Sequence, residues 1–386
     1  MEKKRLNRSE LFFFMYYTLF VFALFIEDVN ISSKICSVLS KGSKLFVLFI
    51  LVMDIILKKW KKKDFYSLIV SALIGFLILF LSGDFFWIIV ILMSLAAEKA
   101  NTESLFRVSF WEVVILSSIV LLLFAFGLIT DSVSFRTDNS TTERHSLGFT
   151  HSLVLPLILF YLMSYYVMIK KDDINLVIVY AFFFISFITY FFCNSRNGLL
   201  LTVLLAISVS LIKFKEVKKY CKVVISFWGK HIFAVCAIFS ILPSLLRSKG
   251  IFNSFWIIFD NYFTNRSLLG SSAINSYGIH FINPMKYSEY ASLLVDVEGS
   301  IYKGIVLDSA YLYILIRYGI LMFFFVWLIF YSIYKKEKKN IFSCLVIILV
   351  AIANVTDNDL LSYGFLPFCI SSINNIFATK TKKVRL

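Results

Sequence analysis

The chain has 386 residues, of which 59% are hydrophobic, 18% aromatic and 16% charged, and its formal net charge is +15. So much apolar surface exceeds what one soluble core can hide, which excludes a soluble globular protein and points to an integral membrane protein. The positive charge does not indicate nucleic acid, because the basic residues form short clusters between apolar runs, where they act as topology signals.

In chain order the apolar runs cover Leu11 to Ile26, Leu45 to Leu57, Phe65 to Ser82, Phe85 to Ala97, Val108 to Ile129, Ser152 to Ile169, Ile174 to Phe192, Gly198 to Ile212, His231 to Leu245, Ala310 to Tyr334, Ile341 to Val355 and Leu361 to Phe377. They predict an all-α polytopic membrane protein with about 12 transmembrane helices, several of which need flanking residues to reach the roughly 20 that cross a bilayer. The first run lacks a small-residue cleavage site and reads as an anchor. Residues 1–386 read as a single integral membrane domain, with one long polar interval at 246–308. Loops of that length are usually functional or disordered. Trp256, Tyr277, Tyr287, Tyr302 and His280, set without low-complexity bias, mark this one as ordered.

An even number of spans puts both termini on one side. Placing them in the cytoplasm assigns 26 of the 39 Lys and Arg residues to inner segments and eleven to outer ones, as the positive-inside rule requires. The 246–308 loop then lies outside, with Asp131 to His151 and the turns Cys193 to Asn197 and Thr356 to Asp359. Five of the eleven outer basic residues are arginines, Arg136, Arg144, Arg196, Arg247 and Arg266. A guanidinium binds phosphate oxygens as a planar fork, so an outer arginine set suggests a phosphorylated substrate, against the alternative of solvated loop arginines. Arg196 precedes a span that enters from outside, beside the positive end of a helix dipole. The alternative there is a capped hairpin with Arg196 reaching lipid phosphates.

Four segments carry a resemblance. Asn194-Ser-Arg-Asn-Gly-Leu-Leu resembles the SRxxLL segment of the O-antigen ligase and polymerase (Wzy-like) family, and Thr264-Asn-Arg-Ser-Leu-Leu-Gly is similar to its second arginine motif. Asp308-Ser-Ala-Tyr-Leu-Tyr-Ile-Leu-Ile-Arg-Tyr-Gly resembles its DNxYLxxLxxYG segment, and Arg144-His-Ser-Leu-Gly-Phe-Thr-His-Ser resembles the RxxxGFxHxN element of capsule and exopolysaccharide polymerases. The likeness covers about Glu143 to Leu321. It implies a metal-independent, cofactor-free polysaccharide polymerase in the bacterial cytoplasmic membrane. Such an enzyme moves a growing glycan from undecaprenyl pyrophosphate to a lipid-linked repeat unit on the outer face, alongside a flippase and a chain-length regulator. By motif position Arg196 and Arg266 inherit the pyrophosphate and Asp308 the base or acceptor-orienting role. Asp308 stands where ligase-type members carry histidine, which favours polymerase over ligase; Asp308 or Ser309 as a simple helix N-cap is the alternative.

Arg144, His145, His151, His280, Tyr311 and Arg317 complete the candidate substrate contacts. His280 is the best alternative base. Arg317 lies within a span, where a charge is costly, so it lines a polar cavity or snorkels upward. The six cysteines show no metal or disulfide spacing and read as small apolar fillers. A lipid-linked oligosaccharide flippase or a scaffolding membrane protein are the rival readings.

Overall fold

A backbone group inside a bilayer has no water to bond, so apolar runs of this length are driven to satisfy their hydrogen bonds as helix. The computed structural model describes residues 8–57, 62–96, 101–135, 142–252, 254–256, 258, 260, 266–282, 294–297, 300–303, 307–358 and 362–377. The helices are α1 Arg8–Phe25, α2 Ser33–Leu57, α3 Lys62–Ser82, α4 Phe85–Ala96, α5 Thr102–Ala125, α6 Val154–Lys170 and α7 Leu176–Cys193. They continue with α8 Arg196–Ile212, α9 Lys215–Ser248, α10 Arg266–Tyr277, α11 Ala310–Tyr318, α12 Ile320–Glu337, α13 Ile341–Thr356 and α14 Leu366–Phe377. Among the described residues the only paired strands are two antiparallel hairpins, Ser134–Phe135 with Glu143–Arg144 and Leu294–Val297 with Ser300–Lys303.

Among the described residues six segments are long and apolar enough to cross a membrane: Glu10–Asp28, Lys34–Leu57, Thr102–Ala125, Val154–Asp173, Leu176–Cys193 and Phe227–Ser248. Two kinds of helix are distinguishable by what they bury. On α4 every residue from Phe86 to Leu95 is buried, as is every residue from Leu155 to Met168 on α6. These are central helices, apolar all round because neighbours surround them. By contrast α2, α5 and α7 expose Phe46, Phe49, Ile115, Leu122, Phe184 and Phe191, the surface a helix presents to lipid. Packing between helices gains little from the hydrophobic effect when lipid is the solvent, so close van der Waals and ring contacts carry it. Phe233 of α9 lies 5.0 Å from Tyr311, 5.2 Å from Phe323 and 5.3 Å from Phe330, and Phe330 stacks on Phe365 at 5.0 Å. Such pairs contribute about 0.5–1.5 kcal/mol each.

The helix ends gather into two groups. At one end Lys171 pairs with Glu337 at 3.0 Å, and Asp172 receives Lys218 at 2.9 Å and Asn340 Nδ2 at 3.0 Å. At the other, Thr150 N–H donates to Asp28 O at 2.9 Å, His145 N–H to Phe192 O at 3.0 Å, and Arg266 Nη2 to Thr356 O at 3.0 Å. The first group is rich in lysine; the second holds Arg144, Arg196 and Arg266.

The apolar run from Ala310 to Tyr334 is not one helix. Gly319 has φ 87° and ψ −179°, a conformation that a side chain makes costly, and it separates α11 from α12. The freed N–H groups of Ile320 and Leu321 donate to His280 O and Phe281 O at 3.0 and 3.1 Å. At its first turn α11 touches α9 and α13, through Tyr311, whose hydroxyl donates to Ala351 O at 2.8 Å. At its last turn it reaches α3 and α4, where Arg317 meets Asp84 and Tyr318 lies 6.4 Å from Trp87. This nine-residue helix therefore links α9 and α13 at its start to the α3–α4 turn at its end.

Candidate functional site

The residue best placed to hold an anion, Arg266, is delivered by its helix's first turn. Asp260 caps α10: its Oδ1 accepts from Ser267 N–H at 2.9 Å, and its Oδ2 from Leu268 N–H at 3.1 Å and Ser267 Oγ at 2.7 Å. Such a cap satisfies the otherwise unpaired amides of a helix start. Arg247, in the last turn of α9, pairs with the same carboxylate, so this arginine is a clamp and not a solvated loop residue. Further along, Gly270 lies so close to α9 that a Cβ would sit 2.1 Å from Ser244 Oγ and 2.8 Å from its Cβ. Only glycine permits that approach, and it sets Arg266 at the wall of α9.

Two cavities meet at this point. The larger, about 460 Å³, is lined by Asp28, His151, Asp308, Tyr313, Asp357 and Tyr363 among others. The smaller, about 110 Å³, is apolar, with Phe239, Pro243, Leu269, Leu312 and Val355 around it and Arg266 at its edge. Pro243 lies inside α9 and has no N–H to give, so the helix loses a bond to its preceding turn where Phe239 and Ser240 face the cavity. Leu307 and Asp308 line both cavities, making Asp308 their shared wall.

Arg266 Nε stands 3.6 Å from Asp308 Oδ2, an ion-pair distance too long for a hydrogen bond. Around the apolar cavity, Ser240 Oγ, Ser244 Oγ, Ser309 Oγ and Arg266 Nε are all buried with no hydrogen-bond partner among the described residues. Native proteins leave few buried polar groups unpaired, so four around one small cavity mark a place built for a polar ligand. Ser309 occupies the N-cap position of α11 but its side chain makes no capping bond; the hydroxyl is left for the cavity.

The carboxylates here are shifted. Burial pushes the Asp308 carboxyl above its ordinary value, and Arg266 pulls in the opposite direction without cancelling the rise. Asp357 is raised to about 6 by burial, against a lowering hydrogen bond from Thr356 and the Arg266 charge, with Asp308 pushing it further up. Carboxyl groups brought towards neutrality are suited to general acid–base work. Among the described residues no three His, Cys, Asp or Glu side chains converge at metal-ligand spacing.

Of the expected site residues the structure brings together Arg266, Asp308 and His151. Tyr311 is fully buried beneath them as a packing residue. Arg196 is exposed at the start of α8 and lines neither cavity. Arg144 Nε donates to Cys193 O at 3.4 Å, which with the His145 N–H to Phe192 O bond fastens this stretch to α7, and His145 Nδ1 pairs with Asp131 at 2.6 Å. Asp131 is held below the usual carboxylate range: desolvation raises it, but the bonds from His145, Ser146 and Leu147 together outweigh that effect. His280 Nε2 sits 2.7 Å from Tyr277 O, away from both cavities. Arg136 and Tyr287 lie outside the described residues.

Arg317 neither lines a cavity nor snorkels. Its Nη2 meets Asp84 Oδ2 at 3.1 Å, its Nη1 donates to the Tyr313 hydroxyl, and the Tyr318 hydroxyl donates to the same Asp84 oxygen at 2.6 Å. Its side chain is 4% exposed and that of Asp84 17%. Through Tyr313 this network reaches the lining of the larger cavity.

Sequence reasoning passed over Asp28, Asp84, Asp357, Tyr313 and the α9 serines. One signal could have found the acids: Asp28, Asp84, Asp131, Asp308 and Asp357 each lie at or within a few residues of an end of an apolar run, all on the side away from the lysine clusters. No protein-family model, curated protein or solved structure matches this chain.

Proposed function

We propose that the protein is a membrane glycosyltransferase that polymerises lipid-linked oligosaccharide repeat units on the outer face of a bacterial cytoplasmic membrane, with twelve spans and both termini inside. The observation that carries this reading is the pairing of an apolar cavity ringed by Arg266 and three unpartnered hydroxyls with a larger, carboxylate-lined one, Asp308 shared between them. In it the isoprenoid end of an undecaprenyl pyrophosphate donor occupies the apolar side, and its pyrophosphate meets Arg266 and the serines. The acceptor sugar sits in the larger cavity. Its hydroxyl attacks the anomeric carbon of the donor glycan, a new glycosidic C–O bond forms, and the bond from that carbon to the pyrophosphate oxygen breaks. The proton passes to Asp308 and the leaving charge to Arg266, which carries its own charge without titrating.

The test is reconstitution: purified protein given lipid-linked repeat units is expected to yield a ladder of polymer even in chelator, since arginine here replaces a metal at the leaving group. Loss of activity in chelator with rescue by one divalent ion would overturn the arginine-only mechanism, and no polymer under any condition would overturn the function.

The orientation rests on the charge division and on the two groups of helix ends. In a cysteine-free background, Lys249→Cys, exposed after α9, is expected to react with an impermeant thiol reagent on intact spheroplasts, and Lys219→Cys, exposed near its start, only after lysis. The reverse pattern would invert the topology and remove Arg266 from the outer face.

A further inference from the structure

At the lysine-rich end, α9 is too long for the bilayer it crosses. It has 34 residues, about 51 Å at 1.5 Å per residue, whereas the stretch apolar enough to span begins at Phe227. The preceding turns therefore stand in the headgroup region, and Phe227 and Trp228 lie at the level where aromatic side chains favour the interface. Two clefts run along this part of α9 and share Lys222 and Lys338. One, of about 250 Å³, is walled by Lys218, Lys222, Lys338 and Lys339; the other adds Lys230 with Val223 and Phe227. The single carboxylate lining the first cleft, Asp172, is already engaged by Lys218 and Asn340. Lys222, Lys230, Lys338 and Lys339 thus form a cationic recess with no carboxylate among its described lining residues left to neutralise it. Val223 and Phe227 are 71% and 64% exposed beside it, which a soluble anion would leave wet.

We propose that this recess binds an anionic phospholipid of the adjoining leaflet, its phosphate held between Lys222 and Lys338 and an acyl chain lying along Val223 and Phe227. Basic pockets between membrane helices recognise such headgroups by charge, and the adjoining apolar side chains supply what a free ion lacks. Asp172 sets the geometry by tying the α6–α7 turn to α9 and to the α12–α13 turn, so the lysines of two separate segments face one recess. The inference does not depend on the reaction proposed above.

The test uses the full chain in nanodiscs of equal parts phosphatidylglycerol and phosphatidylcholine, with retained lipid counted by native mass spectrometry. Phosphatidylglycerol is expected to be retained in preference. Lys222→Gln with Lys338→Gln should reduce that preference about twenty-five-fold, at roughly a factor of five per lysine near an anionic headgroup. Lys215→Gln with Lys219→Gln removes the same charge outside the recess and should leave the preference nearly intact. Equal loss in both double variants would show a diffuse surface effect, and unchanged preference in the first would show no site; either overturns the proposal. Displacement of the lipid by excess inorganic phosphate would make the recess a soluble-anion site and overturn it as well.

Discussion

Arg266→Ala is expected to lower polymer formation by about 10²- to 10³-fold while protein level and helical content stay near wild type. The size follows from removing one preorganised donor to a charge that develops at the leaving group, an interaction stronger in the transition state than in the bound substrate. Arg266→Lys keeps the charge but loses the fork, so partial recovery with shorter chains is expected. The pH dependence gives a second readout. If Asp308 accepts the proton, activity falls as pH drops through its raised pKa, because only the carboxylate can serve. Arg266 opposes that rise, so Arg266→Lys, with a more mobile charge, should move the acidic limb towards higher pH. Asp308→Asn should abolish the limb along with most of the rate. Glycan measured on each side of the membrane in a deletion strain separates this from transport: single lipid-linked units should accumulate outside in the Arg266→Ala strain. Accumulation on the cytoplasmic side would mean that the protein moves lipid, and the polymerase assignment would fail.

Asp84→Asn is expected to cost about 3–5 kcal/mol of stability, because it leaves the nearly buried guanidinium of Arg317 without its counter-charge. Arg317→Met alone strands Asp84 in turn and should be destabilising too, though less, since the Asp84 side chain is 17% exposed against 4% for Arg317. The pair replaced together, Asp84→Asn with Arg317→Met, should recover much of the stability, since removing both charges removes the cost of burying either. Thermal unfolding in detergent reads all three variants. The double variant also decides what Arg317 does. As a positioning residue acting through Tyr313, it should leave substrate affinity in the double variant within a few-fold of wild type once the fold is restored. A double variant that is stable yet has lost substrate binding would make Arg317 a direct contact with the lipid pyrophosphate.

Much of the molecule was legible before any coordinates. Each apolar run becomes helix because, in a bilayer, backbone hydrogen bonds must close within the segment, and a rule that operates within one segment can be read from one segment. Asp308 was legible for a related reason, since it stands at the margin of an apolar run, where a charged side chain is conspicuous; Arg266, inside the long polar interval, was legible only through the motif it resembles. The break at Gly319 was not, since nothing in the composition of Ala310 to Tyr334 separates a glycine that turns the chain from one that rides within a helix. The difference lies in His280 and Phe281, whose carbonyls receive the N–H groups that the break releases.

Pairings between helices were beyond local reading altogether. Asp84 and Arg317 are 233 residues apart, Arg266 and Thr356 are 90 apart, and Asp28, Asp308 and Asp357 come to one cavity from three separate segments. Which helix lies against which is set by close contacts such as Gly270 against Ser244, whose geometry no hydropathy profile contains. Composition and charge order alone determined that the chain is helical and membrane-embedded, because the solvent imposes those features on every segment independently. Where its charges meet was decided only by the tertiary structure, because an ion pair in a low-dielectric interior depends on distances between helices that the chain reaches only once they are packed.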